Sequence, residues 1–266
     1  MPKVVAIVGS PRKGHTYRLV QGFERELKQL GEVNFEYILL KDWKLDSCRG
    51  CGLCLEKGEG YCPIKDDYST LLEKMMQADG IILATPVYSL QVTALMKNLL
   101  DRMAYIMHRP CFFHKLYMPI VTQGVYGADG VIKYLDEAAK FLGFKKCPGL
   151  GLTVAFKNPL PEETERINAE TERAAKRFYS MLANPKDPVP SIKDVLIFRM
   201  VRSTHSKSAG FLKDHEFYRD QGWLESEYYY ETKLNPIKKL VGAWADWQGQ
   251  KIANKIIKDR DKFAKD

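Results

Sequence analysis

No stretch of this sequence approaches the roughly 20 consecutive apolar residues that span a bilayer. The single lysine and short apolar run at its start do not make a signal peptide. Together these absences predict a cytoplasmic protein with no membrane partner. The Gly-x-Gly-x-x-Gly of a dinucleotide fold is missing, as is the Gly-Lys-Ser/Thr ending of a triphosphate loop. No Ser/His/Asp or Cys/His constellation stands out, and His108, His114, His205 and His215 show no ligand spacing, so no catalytic side chain is assigned. There is no internal repeat and no low-complexity tract. Cationic residues exceed acidic ones, 41 − 33 = +8, but they are spread along the chain and form no arm suited to nucleic acid. An anionic small molecule accounts for the excess equally well, and no nucleic-acid partner is expected.

What is present begins with Val4-Val5-Ala6-Ile7-Val8, a run that reads as a strand buried on both faces. Gly9-Ser10-Pro11-Arg12-Lys13-Gly14-His15-Thr16 follows, then a helix with Leu19, Val20, Phe23, Leu27 and Leu30 on one face. A small-residue loop leading into a helix N-terminus is an anion cradle, because unpaired N–H groups and the helix dipole face it. Ser10 and Thr16 can add hydroxyls and Arg12 a guanidinium. Further strands are expected at 33–40, 79–84, 116–121 and 149–156, alternating with helices. That alternation predicts an α/β fold with a doubly wound, five-stranded parallel sheet over residues 1–183. Residues 184–266, opened by Pro185, Pro188 and Pro190, read as a mainly helical, aromatic-rich C-terminal extension. In doubly wound sheets ligands sit at the carboxyl ends of the strands, where Ser10–Thr16, Thr85–Ser89 and Thr122–Gly127 should converge.

Four of the six cysteines fall between Cys48 and Cys62, and in a reducing compartment such clustering favours a metal site over disulfides. Cys48-x2-Cys51-x2-Cys54-x7-Cys62, followed by Pro63, has the short steps and Cys-Pro ending of ferredoxin ligands. Three readings stay open, in this order: a [4Fe–4S] cluster, a loop without metal, and a four-thiolate zinc site. Cys111 and Cys147 read as ordinary buried thiols.

The first loop, Thr85-Pro86-Val87-Tyr88, and Met96-Lys97-Asn98-Leu99-Leu100-Asp101-Arg102 together resemble the NAD(P)H-dependent FMN reductases of the flavodoxin-like superfamily. The cysteine spacing is similar to that of their iron–sulfur flavoprotein branch. The resemblance covers roughly residues 3–183. It implies a flavodoxin-like fold, bound FMN, NAD(P)H as co-substrate, and a homodimer or homotetramer. By the same resemblance Ser10, Arg12 and Thr16 hold the FMN phosphate, with His15 standing where many relatives carry asparagine. Pro86, Val87, Tyr88 and Ser89 border the flavin ring, with Thr122, Gln123, Gly124 and Tyr126 opposite.

The implied function is an oxidoreductase moving electrons from a nicotinamide through FMN to a small acceptor such as a flavin or quinone. The alternative is an iron–sulfur electron carrier serving a ferredoxin-like protein. A non-redox regulatory module is the third reading, and it requires that no flavin bind. For the aromatic extension three roles are open: packing on its own subunit, embracing a neighbouring one, or covering the flavin.

Overall fold

The computed structural model describes residues 1–154, 160–184, 186–206 and 211–263. In chain order the elements are β1 (Lys3–Val8), α1 (His15–Leu30), β2 (Asn34–Leu39), α2 (Leu53–Glu56), α3 (Tyr68–Met76), β3 (Gly80–Pro86), α4 (Ala94–Arg102), α5 (Ala104–His108), β4 (Leu116–Gln123) and α6 (Ala128–Leu142). Then come β5 (Lys145–Lys146), β6 (Leu150–Thr153), α7 (Pro161–Ala183), α8 (Ile192–Ser206), α9 (Leu212–Asp220) and α10 (Pro236–Phe263).

The strands pair in parallel in the order β2-β1-β3-β4-β5, with β6 also on β4. This is the flavodoxin-like 2-1-3-4-5 order, whose switch point lies between β1 and β3. Its fifth position is divided: Lys145–Lys146 pair with the start of β4 and Leu150–Thr153 with its end. The strand expected at 149–156 is therefore shorter, and its residues 155–156 lie outside the described residues.

Alternation along β1 divides its side chains between two faces. Val4, Ala6 and Val8 join Ile82, Ala84, Met118 and Ile120 in a core sealed by Leu19, Phe23 and Leu27 of α1 and by Ala174, Ala175 and Phe178 of α7. Phe23 and Phe178 meet edge to face at 5.6 Å. Val5, Ile7, Ile81 and Leu83 point the other way and are equally buried. A sheet buried on both faces explains why these strands are continuous apolar runs.

Contacts divide the chain into two compact units, 1–49 with 64–187, and 50–63 with 188–266. The second unit thus consists of two segments, where a linear reading places the extension at 184–266 alone. Within it, α8 packs along α10 and α2 along α9. Phe198, Tyr218, Trp223 and Tyr229 form an aromatic cluster, with Phe198–Tyr229 centroids 4.4 Å and Trp223–Tyr229 centroids 4.8 Å apart. Asp246 accepts from Arg199 and Ser203 and pairs with Arg202 at 2.7 Å. No helix among the described residues is long and apolar enough to cross a membrane.

Candidate functional site

The carboxyl ends of β1, β3 and β4 bring their loops together as the topology requires. Gly9 N–H donates to the Ala84 carbonyl at 2.8 Å, and Val87 N–H to the Thr122 carbonyl at 2.8 Å. Thr93, the N-cap of α4, donates its hydroxyl to the Gly9 carbonyl at 2.5 Å and accepts from Met96 N–H. Gly9 leaves no room for a side chain, since a Cβ there would stand 2.9 Å from Met96 Cβ. The loop is thereby pressed onto α4 before it turns into α1.

A cavity of about 560 Å³ opens where these loops meet, within the usual range for a ligand site. Of the sequence-derived candidates, Ser10, Arg12, His15, Thr16, Pro86, Val87, Tyr88, Thr122, Gln123 and Gly124 line it. Ser89 and Tyr126 fall outside that lining: Ser89 sits at the tip of a tight turn, and Tyr126 is 67 % exposed. Lys13, Gly14, Arg18 and Val154 line it as well and were not singled out from sequence. Arg18 was legible in principle, because helix periodicity sets it one turn after His15. Val154 arrives only through the pairing of β6 with β4.

The floor of the site is polar and mostly self-satisfied. Ser10 donates its hydroxyl to the Arg12 carbonyl at 2.7 Å and so closes the loop on itself. The hydroxyls of Thr16 and Thr122 lie 2.6 Å apart, joining the first turn of α1 to the end of β4. Gln123 accepts from Ala128 N–H at 2.6 Å and donates to Thr153 at 2.8 Å, so its amide ties α6 to β6 while its backbone borders the cavity.

No side chain caps the N-terminus of α1 at Gly14, so its first-turn N–H groups face the loop. Arg12, Lys13 and Arg18 add three cations around them. Burial, then Arg18 and Arg12, hold the His15 pKa below its ordinary value, against the opposing pull of Glu163. Uncapped amides beside several cations fit a phosphate monoester, and the cavity volume accommodates the ring system of a flavin.

Tyr88 owes its position to a strained turn. Tyr88 and Gln91 exchange backbone hydrogen bonds of 2.9 Å in both directions, with Ser89 at φ 48° and Leu90 at φ 63°. Two consecutive left-handed residues make a two-residue hairpin turn, here without the glycine or asparagine that normally relieves it. Departures of this kind cluster where structure serves a ligand.

The cysteine loop is fastened at its neck. Lys44 N–H donates to Asp67, and Asp46 N–H to Asp66, both at 2.8 Å. Arg102 of α4 donates to Asp66 and to the Asp46 carbonyl, and Asn98 donates to the Leu45 carbonyl. Beyond the neck, Gly50 and Gly52 take positive φ, and Cys54 lies in α2. Cys48 and Cys51 are exposed, Cys54 and Cys62 half-buried. Among the described residues no three His, Cys, Asp or Glu side chains are grouped so that they could hold a metal ion.

Residues 2–158 match the family model of the NADPH-dependent FMN reductases. An iron–sulfur flavoprotein of Archaeoglobus fulgidus is 31% identical over 229 residues, covering 84% of this chain and 100% of the relative. An iron–sulfur flavoprotein of Methanocaldococcus jannaschii is 46% identical over 101 residues, covering 38% of this chain and 51% of the relative. Among solved structures, a flavone reductase superposes with a TM-score of 0.55 at 19% identity, over 68% of this chain and 63% of that one, a likeness of fold. A parallel sheet in flavodoxin-like order, three loops around one cavity and these matches lead to one conclusion: the chain belongs to the NADPH-dependent FMN reductase family of oxidoreductases, with iron–sulfur flavoproteins among its relatives.

Proposed function

We propose that this cavity binds FMN and that the protein passes electrons from a reduced nicotinamide to a small acceptor such as a flavin or a quinone. The observation that carries the reading is the convergence of the 10–16, 86–88 and 122–124 segments on one cavity whose phosphate end is an uncapped helix N-terminus ringed by Arg12, Lys13 and Arg18. FMN, when bound, supplies the hydride and electron chemistry, so the chain needs no acid–base constellation. Its own residues bind and orient. Arg12 and the α1 amides hold the phosphate, and Thr16 and Thr122 border it with hydroxyls. Pro86, Val87 and Tyr88 wall one side, and the backbone of Thr122–Gly124 offers donors to the opposite edge.

An FMN titration followed by fluorescence tests this directly. Arg12→Ala is expected to lower affinity by about 1.5–3 kcal/mol, the worth of a charge-assisted hydrogen bond; unchanged affinity removes Arg12 from the phosphate site. Bleaching of the flavin bands on adding NADPH or NADH supports the reductase, and a colourless protein that binds no FMN sinks it.

A second reading, an iron–sulfur flavoprotein serving a ferredoxin-like partner, is favoured by the name of the Archaeoglobus fulgidus relative and by the cysteine spacing. Iron and sulfide analysis of anaerobically purified protein separates the two readings: stoichiometric iron favours the carrier, and its absence leaves the flavin alone.

A further inference from the structure

Strands β1 and β3 pair in parallel as far as Val8 and Ala84, and Gly9 N–H adds one more rung by donating to the Ala84 carbonyl at 2.8 Å. Past that rung they part. The chain leaving β1 becomes the phosphate cradle, and the chain leaving β3 becomes the 86–88 wall of the cavity. Thr93 stands at this fork. It is buried, lies outside the cavity lining, and holds the two branches with different atoms. Its side-chain hydroxyl donates to the Gly9 carbonyl at 2.5 Å, on the cradle branch. Its backbone N–H donates to the Thr85 hydroxyl at 3.3 Å, on the wall branch. Thr85, fully buried, donates that hydroxyl's proton to the Pro86 carbonyl at 3.0 Å.

Capping α4 requires only that the Thr93 oxygen accept Met96 N–H. The bond to Gly9 is additional, and it uses the one proton the side chain has. The carbonyl it meets is the last before Ser10, where the cradle begins.

We propose that Thr93 is a positioning residue for the phosphate end of the site: its hydroxyl fixes the cradle relative to the wall and so sets the preference for a phosphorylated flavin over an unphosphorylated one. The inference rests on the FMN reading above. Hydrogen bonds from backbone amides weaken steeply with distance and angle, so a cradle that shifts loses phosphate affinity. The long side chains of Arg12, Lys13 and Arg18 can follow a displaced phosphate, but amides cannot. The two branches can also be loosened separately. Removing the Thr93 hydroxyl frees Gly9 but leaves the N–H on Thr85, and removing the Thr85 hydroxyl does the reverse.

Dissociation constants for FMN and riboflavin, from fluorescence titrations of the wild type, Thr93→Val, Thr93→Ser and Thr85→Val, test the proposal. Thr93→Val is expected to weaken FMN about tenfold and to leave riboflavin within about twofold. Thr93→Ser keeps the hydroxyl and should restore the wild-type ratio of the two constants. Thr85→Val loosens the wall against which both rings lie, and should weaken both flavins alike. A folded Thr93→Val protein with the wild-type ratio overturns the proposal. Equal weakening of both flavins by Thr93→Val overturns it too, since that is the mark of a cap that only stabilises α4. Should Thr93→Val fail to fold, Thr93→Cys, whose thiol is a poor donor, takes its place with the same outcomes. A wild type that binds neither flavin overturns the FMN reading and this inference with it. A wild type that binds both equally well overturns this inference alone.

Discussion

At the scale of single residues, two charged positions carry measurable consequences. His15 is held below its ordinary pKa by burial and by Arg18 and Arg12, and a phosphate dianion in the cradle would pull it back up. A group whose pKa rises on binding makes binding tightest at low pH and weaker as pH rises through the pKa of the complex. FMN titrations between pH 5 and 8 are therefore expected to show an extra gain in affinity at the acid end for the wild type over His15→Gln. The ionisation of the phosphate itself is common to both proteins and cancels, and superimposable profiles would remove His15 from the cradle. Asp66 is the second position. Burial works to raise its pKa, but hydrogen bonds from Arg102 and from the N–H groups of Asp46 and Tyr68 outweigh it, and the net shift is downward. Its contribution to stability is thus complete above the unfolded carboxylate value of about 3.9 and is lost as pH falls through the lower folded value. The pair is almost wholly removed from solvent, so Asp66→Asn should destabilise the protein at neutral pH by about 3–5 kcal/mol. The loss should shrink in denaturant titrations at pH 3, and a neutral-pH change below 1 kcal/mol would contradict the role of the clamp. Asp101 and Arg102 are adjacent in sequence and opposite in charge. The structure separates them: Arg102 clamps Asp66, while Asp101 pairs with Lys97 one turn away on the helix surface.

At the scale of elements, the Tyr88 turn stores strain that can be relieved without touching the cavity. Left-handed backbone costs a side-chain-bearing residue roughly 1–2 kcal/mol. Ser89→Asn/Leu90→Gly supplies the pair that such a turn prefers, and is expected to raise stability by up to about 1 kcal/mol after the added freedom of the unfolded chain. Thermal unfolding checks it; a lower midpoint would mean that Leu90 contributes more by contact than it costs by conformation. This turn was not legible in the sequence, because Ser-Leu carries no turn signal and its geometry comes from the fixed ends of β3 and α4. The run from β1 through the first loop into α1 was legible for the opposite reason. A doubly buried strand, a small-residue loop and a 3.6-residue period are each written locally, and here they agree. The division of the fifth strand was hidden, since β5 and β6 are defined by their pairing with β4 and not by a run of their own.

At the scale of the whole molecule, FMN should behave as a folding ligand. At a concentration of 100 times its dissociation constant it would add about 2.7 kcal/mol of stability, seen as a higher thermal midpoint. Riboflavin, which lacks the phosphate, should give a smaller shift; equal shifts would mean that the α1 N-terminus takes no part. The fold order and most of the cavity lining were legible because strand topology alone decides which loops meet. The aromatic extension was not. Tyr218 and Trp244 look alike in sequence, and only the close approach of α8 and α10, at small residues such as Gly249, decides which ring is enclosed and which faces outward. The neck of the cysteine loop has a consequence of a different kind. Its two strands of chain are sewn together at Lys44, Asp46, Asp66 and Asp67 and bolted to α4 through Asn98 and Arg102, whatever lies between. Lengthening the short stretch between the neck and α2 costs little more than loop-closure entropy, about 0.6 kcal/mol for each doubling, while α2 keeps its packing on α9. That stretch can thus change in length while the neck holds its two ends where the sheet sets them.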